Sequence, residues 1–416
     1  MPGQFFYGWV VVAVSLVIFT VTYGLQFSFG VFLPHIMQDL ELDRAAVSAP
    51  FSLYIFFYAF FSLVTGPATD RFGPRSVVLT GGILLALGYS LLSSVASGWQ
   101  IFVYFSVIAG AGMSASYVPL NATVVRWFDR YRGLALAITG TGLNTAMVVG
   151  PMLAALFIPW LGWRTAMLLL GLGGGCVIVC CALALARDPA SRNLRPDGRM
   201  ADRQSSVSTD APPAEVSWTL AEARGGMAFW LILGVFFLTW TMVFFPNVHL
   251  PALAADLGHD PTHAAGLVAV MGLGGLAGRV AIGWSSDLIG RMAGLHLAFV
   301  VQIAACAIFA SSGSLAVLYL AAGLYGAGVS AAITLFPAVI ADAFGSSHVG
   351  AIAGFIFGIA GTAAAIGPYA GGFVRDMTGS YQTAFVIAAV LNVAAMGLLA
   401  MLRLPRKSPG PASRSV

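Results

Sequence analysis

Arg279 is the one charged side chain of this sequence that lies well inside an apolar stretch, the run from Ala264 to Trp284. A helix over this run would place Arg279 about 12 Å from the end marked by Asp287 and about 25 Å from the end near Thr262. A guanidinium at that depth in a bilayer costs at least about 2.5–3.5 kcal/mol, so it normally faces a polar path for an ion or substrate. A carboxylate is its natural ligand, because the guanidinium fork donates two parallel hydrogen bonds to it.

The chain offers Arg279 no obvious acidic partner, since no Asp or Glu lies in the middle of an apolar segment. The plain alternative is a buried arginine that caps helix carbonyls or pairs with an acid. We expect instead that the missing anion is a ligand. Polar and aromatic residues at similar depth could complete its site, although such groups more often hydrogen-bond or pack against neighbouring helices. These candidates are Tyr23, Gln26, Tyr54, Tyr58, Tyr117, Asn121, Asn144, Tyr325, Thr334, Phe336, Phe355 and Phe357. Of them, Tyr117 and Asn121 are one helical turn apart on one face and are expected to orient the ligand.

The composition predicts an all-α polytopic membrane protein. The chain is 59% hydrophobic and only 9% charged, with a mean hydropathy of +0.88, whereas soluble domains are about 25% charged. Twelve apolar segments are long enough to span a bilayer about 30 Å thick. Their approximate bounds are 6–33, 45–66, 76–96, 101–125, 133–158, 163–185, 228–253, 262–285, 292–311, 315–340, 349–371 and 381–402.

The distribution of basic residues predicts that both termini are cytoplasmic. The first apolar run is too long for a signal-peptide core and is interpreted as a retained first helix. With the N-terminus inside, 16 of the 20 Lys and Arg residues fall in inner loops and the tail, and three fall outside. We therefore expect a multi-pass protein of the cell membrane. The net charge of +4 follows from this asymmetry and indicates no nucleic-acid partner. No pattern indicates a cofactor, a metal site or catalytic residues.

The sequence divides into two six-helix bundles that repeat. A polar linker, 187–226, separates the N-terminal bundle, 1–186, from the C-terminal bundle, 227–403, and 404–416 forms a tail. Motifs in the two bundles recur at an offset of 217 residues, which predicts parallel repeats with a substrate site at mid-depth between them. The matched sets are Gly66-x-x-x-Asp70-x-x-Gly73 with Gly283-x-x-x-Asp287-x-x-Gly290, Gly133 with Gly350, and Gly150-Pro151 with Gly367-Pro368. Arg279 breaks the symmetry, because its counterpart is Ser62.

The segment from Gly66 to Arg75 resembles the G-x-x-x-D-R-x-G-R-R signature of the major facilitator superfamily. Tyr7-Gly8-Trp9 at the start of helix 1, and the stretch from Trp127 to Ala135 before helix 5, look like signatures of the monocarboxylate transporter family and its bacterial relatives, including oxalate and formate exchangers. The resemblance implies the twelve-helix major facilitator fold and a carboxylate-binding arginine in helix 8. It also implies an inner gate, here formed by Asp70, Arg71, Arg75, Asp287 and Arg291.

The chain departs from the family pattern at two charged positions. The related mammalian proteins carry an Asp four residues before the arginine, where this chain has Gly275, and a Lys late in helix 1, where it has Phe27. Both groups are linked in the family to proton movement. The related dicarboxylate exchangers have a second cation in helix 11, whereas 351–371 contains none here. One guanidinium favours a substrate with one carboxylate.

These features predict a secondary transporter that moves a small monocarboxylate such as lactate or pyruvate by alternating access, together with a proton and as a monomer. The proton could enter beside the substrate at the same site, without a dedicated relay. The nearest alternatives are an anion exchanger of the oxalate or formate type and an exporter of another organic acid, including aromatic acids. A non-transporting sensor has no output domain in this sequence, and a membrane enzyme has no catalytic constellation.

Overall fold

A computed structural model of the chain describes residues 6–41, 44–192, 194–198, 217–311 and 313–404. The described segments fold into twelve membrane-spanning helices. These are α1 (Gly8–Leu40), α2 (Arg44–Phe72), α3 (Pro74–Ser93), α4 (Gly98–Trp127), α5 (132–161), α6 (163–183), α7 (227–256), α8 (Pro261–Ile289), α9 (Arg291–Ser311), α10 (Leu315–Phe344), α11 (Val349–Thr378) and α12 (Tyr381–Met401).

Ten helices are individually long and apolar enough to cross a bilayer. One of them, Arg132–Leu183, contains two spans, because Gly162 breaks it with a left-handed φ of 73° and separates α5 from α6. A further span, α7, consists of two shorter pieces, Met227–Val243 and Phe245–Asp256. Several helices continue beyond the predicted apolar bounds, as α1 does to Leu40, since helical hydrogen bonding does not stop where the apolar residues do.

Three spans contain irregular segments. In α4, residues Phe102–Ala109 form a π-helix, and the helix breaks at 115–116, where the ring of Pro119 would clash with the carbonyl four residues earlier. In α7, Pro246 follows the break at Phe244. In α11, Gly361–Ala365 forms a 3₁₀ turn.

The repeat seen in the sequence extends to the backbone of the turns. Left-handed φ angles occur at equivalent positions, 217 residues apart, in both halves. These pairs are Glu41 (49°) with Gly258 (81°), Gly73 (83°) with Gly290 (96°), and Gly162 (73°) with Gly379 (73°). Two glycines, Gly73 and Gly290, adopt at low cost a conformation that side chains disfavour, and they allow α2 and α8 each to turn within a residue or two into the next helix.

Within each half the helices pack closely, with α1 along α5 and α6, and α10 against α8 and α9. Across the halves, α2 packs against α11 and α5 against α8. We call the end of the bundle that holds Gly8, Phe72, Trp127 and Ile289 the basic end, and the opposite end the distal end. A cavity lies between the halves at mid-depth and extends towards the distal end.

Candidate functional site

The cavity between the halves has a volume of about 820 Å³. It reaches from Arg279 to residues near the distal ends of several helices, such as Leu33 of α1 and Tyr369 of α11. Its walls are mainly apolar and aromatic. The aromatic lining includes Tyr23, Phe27, Phe29, Phe51, Tyr58, Tyr117, Trp240, Phe244, Tyr325 and Phe357.

Arg279 is buried, with only 3% of its surface exposed, and lies at the deep part of the cavity. Its Nη1 donates a hydrogen bond of 2.7 Å to the carbonyl of Gly140 on α5, so one of the five N–H groups caps a helix carbonyl of the other half. The buried Nε has no partner among the described residues, and Arg279 forms no ion pair with any acid in those residues. A Cβ at position 140 would overlap the guanidinium, so the glycine at this position leaves the space that the guanidinium occupies.

The structure brings six of the predicted polar residues to the cavity together with Arg279: Tyr23, Gln26, Tyr58, Tyr117, Asn144 and Tyr325. The Tyr23 hydroxyl shares a hydrogen bond of 2.8 Å with the Tyr58 hydroxyl, which also lines the cavity. Because only one hydroxyl of such a pair donates to the other, one O–H remains available for a ligand.

Two cavity tyrosines are already committed to helix carbonyls. Tyr117 donates to the carbonyl of Ile333 at 2.9 Å, and Tyr325 donates to that of Met242 at 2.7 Å. Each acceptor lies four residues before a proline, Pro337 or Pro246, and so lacks its usual helical donor. These hydroxyls replace the missing backbone bonds, and neither can donate to a ligand without leaving its carbonyl.

Five of the predicted residues do not line this cavity: Tyr54, Asn121, Thr334, Phe336 and Phe355. Asn121 lines a small void beside Arg279, on the side towards the basic end, and its Nδ2 donates to the Tyr117 carbonyl at 2.8 Å. Tyr54 is fully buried and stacks on Phe105 at 4.5 Å. Phe355 is not among the residues that line the cavity, and its ring packs against Phe229 and Arg224.

The neighbouring candidate Phe357 does line the cavity. Side chains two positions apart on a helix point about 200° away from each other, so Phe355 and Phe357 cannot both face the cavity. Trp240 and Ser330 also line the cavity and were not predicted from the sequence. Nothing in the spacing of Trp240 distinguished it from the other eight tryptophans of the chain.

At the basic end, Asp70 joins the two halves. Its carboxylate accepts backbone N–H bonds from Gly350 at 3.1 Å and Ala351 at 2.6 Å, at the N-terminus of α11, and pairs with Arg126. Both members of the ion pair are more than nine-tenths buried. A carboxylate is stabilised at this place, since the N-terminus of a helix carries partial positive charge and unpaired N–H groups.

Asp287 makes the equivalent contact in the opposite direction. It accepts N–H bonds from Gly133 at 2.8 Å and Leu134 at 2.9 Å, at the N-terminus of α5. The Asp of each half therefore caps a helix of the other half. Glycine is needed at 133 and 350, because a Cβ at either position would collide with the backbone and the aspartate facing it.

Other residues of the predicted gate differ in their contacts. Arg291 donates to Asp342 at 2.7 Å and lies 4.0 Å from Asp287. Arg132, not assigned to the gate from the sequence, also bonds Asp342, at 2.6 Å. In contrast, Arg71 and Arg75 are exposed and form no ion pair with the described part of the chain. Arg126 and Asp342 were likewise not assigned, because their partners are distant in sequence.

The fold and these contacts define a two-halved membrane transporter that is closed at the basic end and has a cavity reaching towards the distal end. The chain belongs to the Major Facilitator Superfamily, whose family model matches residues 14–315 and 232–416. It is similar to "Monocarboxylate transporter 13" of Rattus norvegicus, with 31% identity over 95% of this chain and 89% of that protein.

Two further comparisons agree with this assignment. The "4-hydroxybenzoate transporter PcaK" of Pseudomonas aeruginosa is 26% identical over 88% of this chain and 87% of that protein. The crystal structure of the human organic anion transporter MFSD10 superposes with a TM-score of 0.71, at 16% identity, and covers 94% of this chain and 99% of the other. The relatives are transporters, and the protein is a multi-pass membrane transporter rather than an enzyme.

Proposed function

We propose that the protein carries a monocarboxylate across the cell membrane by alternating access, and that Arg279 binds the carboxylate. The observation that supports this most directly is a buried guanidinium in the cavity with an unpartnered Nε and no acidic partner in the described residues. A carboxylate would satisfy both the charge and the free N–H groups. The similarity to a monocarboxylate transporter is consistent with this choice.

The gate contacts indicate to which side of the membrane the cavity opens in this conformation. If the basic end is cytoplasmic, as the positive-inside rule indicates, Asp70 and Asp287 hold the cytoplasmic side closed and the cavity faces outwards. The Tyr23–Tyr58 pair lies in the same cavity and can donate one further hydrogen bond to the anion. Transport would then require the two halves to separate at α2–α11 and α5–α8. The halves belong to one chain, so a monomer would be sufficient.

Proton symport is the coupling that we propose, with the proton entering beside the anion. One observation favours the alternative, anion exchange. In symport the transporter has to return empty, and it would then close around Arg279 without a counter-charge. Removing an unpaired charge from water is costly. Such a transporter would change conformation faster if it carried an anion in both directions.

The test is uptake of radiolabelled L-lactate, pyruvate and benzoate into proteoliposomes containing wild type, Arg279→Ala or Arg403→Ala. Arg403 is an exposed arginine at the end of α12 and serves as the matched control. We expect Arg279→Ala to abolish uptake while its thermal stability and yield remain those of Arg403→Ala. Uptake that survives in Arg279→Ala would refute the assigned role of this residue.

An inward proton gradient separates the two couplings. Gradient-stimulated uptake into empty vesicles would support symport. Uptake that requires a preloaded anion and ignores the gradient would assign the protein to the exchangers.

A further inference from the structure

The polar atoms of the cavity that lack partners form two groups of opposite character. The donors are Arg279 Nε and Trp240 Nε1, and the acceptors are Gln26 Oε1 and Asn144 Oδ1. All four are buried atoms of residues that line the cavity and have no hydrogen-bond partner in the described chain. Buried polar groups are nearly always satisfied, so a set of unsatisfied ones around one cavity indicates what its ligand supplies.

The acceptors belong to a second polar region, displaced from Arg279 along α8. Asn144 and Ser330 both lie close to Gly275: a Cβ at Gly275 would be 2.6 Å from Ser330 Oγ and 3.3 Å from Asn144 Nδ2. Gly275 precedes Arg279 by four residues, which is about 6 Å along the helix towards the distal end. Gln26 is 98% buried and lies about one turn beyond Tyr23 in the same direction.

The rest of the cavity wall is mainly apolar and aromatic. Phe27 lies on it beside Tyr23, with ring centroids 6.3 Å apart, and Trp240 lies 5.0 Å from Phe357. The wall therefore has the character of a surface for a ring or a branched chain, not for a second charge.

On the basis of the proposed function, we infer that the substrate is a ring-sized monocarboxylate with a hydrogen-bond donor at the end remote from the carboxylate. Its carboxylate binds Arg279, its apolar body lies between Phe27, Trp240 and Phe357, and its donor bonds Asn144 or Gln26. A three-carbon hydroxy acid does not meet this requirement. Its hydroxyl is attached next to the carboxylate and cannot reach a region one helical turn away. The cavity volume of about 820 Å³ falls in the range of roughly 300–1,000 Å³ typical of sites for drug-sized ligands.

The experiment is isothermal titration calorimetry of the purified full chain with 4-hydroxybenzoate, 4-methylbenzoate and L-lactate. The first two acids are matched in size and differ in the terminal donor. We expect 4-hydroxybenzoate to bind at least about fivefold more tightly than 4-methylbenzoate, because the methyl group leaves a buried acceptor unpaired. L-lactate is expected to bind more weakly than both. Equal affinities for the two aryl acids, or tighter binding of L-lactate, would overturn the inference.

Two variants identify the residues responsible. Gln26→Leu combined with Asn144→Leu should make the affinities for 4-hydroxybenzoate and 4-methylbenzoate about equal. The affinity for 4-methylbenzoate itself should stay within about threefold of the wild-type value. The matched control is Gln302→Leu combined with Asn392→Leu. Gln302 and Asn392 are also buried, each donates to the carbonyl four residues earlier, and neither lines the cavity. The control should keep the wild-type preference, and loss of the preference in the control as well would contradict the assignment.

The outcomes separate this inference from the proposed function. Loss of all binding in Arg279→Ala, with a donor preference that does not depend on Gln26 or Asn144, would refute the inference and retain the carboxylate site. Absence of binding for every acid in the wild type would refute both. If the double variant does not fold, the comparison of the two aryl acids in the wild type still decides whether a terminal donor is recognised.

Discussion

Replacing Gly140 by alanine tests whether the position of the Arg279 guanidinium determines anion binding. A Cβ at Gly140 would overlap Nη1 of Arg279 and lie 3.0 Å from Cδ and 3.1 Å from Cζ. Non-bonded heavy atoms pack best at about 3.5–4.0 Å, so the guanidinium would have to move by about 1 Å or more. Because helix α5 supplies the obstructing methyl group, the displacement arises without any change to the arginine itself.

The expected effect follows from the geometry of the ligand's hydrogen bonds. A hydrogen bond to a charged group contributes about 1.5–3 kcal/mol, and a displaced fork would lose at least one of its two bonds to a carboxylate. We therefore expect the KM for the transported acid to rise about 10- to 100-fold. The added methyl group also overpacks the contact between α5 and α8, which costs about 1–3 kcal/mol of stability.

The assay is uptake into proteoliposomes over a range of substrate concentrations, with thermal unfolding measured on the same preparations. Gly173→Ala is the control, since a Cβ at Gly173 on α6 meets no atom within 4 Å. It should transport like the wild type. If Gly140→Ala folds and its KM stays within about threefold of the wild-type value, the position of the Arg279 guanidinium does not determine carboxylate binding and the prediction is refuted.

Two further substitutions test the gate and the fold. Asp70→Asn removes the charge opposite buried Arg126, and breaking a buried ion pair costs about 3–5 kcal/mol. The basic end should therefore open, and the distance between spin labels at Ser76 and Ile289, measured by pulsed electron resonance, should increase. An unchanged distance distribution would contradict this expectation. Gly162→Ala places a side chain at φ 73° and ψ 156°, a conformation nearly restricted to glycine that costs about 1–3 kcal/mol. Its Tm should fall although no atom lies within 4 Å of the new Cβ, and an unchanged Tm would disprove the backbone argument.

The repeat is the part of the fold that the sequence predicted best. Charged and small residues at one offset identified the equivalence of Asp70 with Asp287, and the structure shows the equivalence in their contacts with helix N-termini. The reason that Gly133 and Gly350 recur was not accessible from the sequence. Each leaves space for an aspartate from the opposite half, and a contact between halves appears only when the halves are packed.

The composition of the cavity was only partly predictable, because helix orientation is set by packing. Depth along a span can be counted from the sequence, and the residues chosen by depth include Tyr23, Gln26 and Asn144, which line the same cavity as Arg279. Which side of a uniformly apolar helix faces the cavity cannot be predicted in the same way. The sequence therefore did not distinguish Phe357, which lines the cavity, from Phe355.

The break in the repeat at Arg279 separates structural from functional requirements. Its counterpart Ser62 has one O–H, which is shared between the carbonyl of Gly354 on α11, at 2.9 Å, and that of Ala59 on its own helix, at 2.5 Å, and so contacts α11 from α2. Arg279 donates to the carbonyl of Gly140 and joins α8 to α5, the equivalent pair of helices. A neutral hydroxyl is thus sufficient to join the halves at this depth, and it adds no buried charge. The guanidinium makes the same kind of bond and brings, in addition, a charge and an Nε that the described chain leaves unpaired. The bond to Gly140 explains where the guanidinium lies, but a bond that serine can replace does not explain why the residue is an arginine, and a carboxylate ligand does.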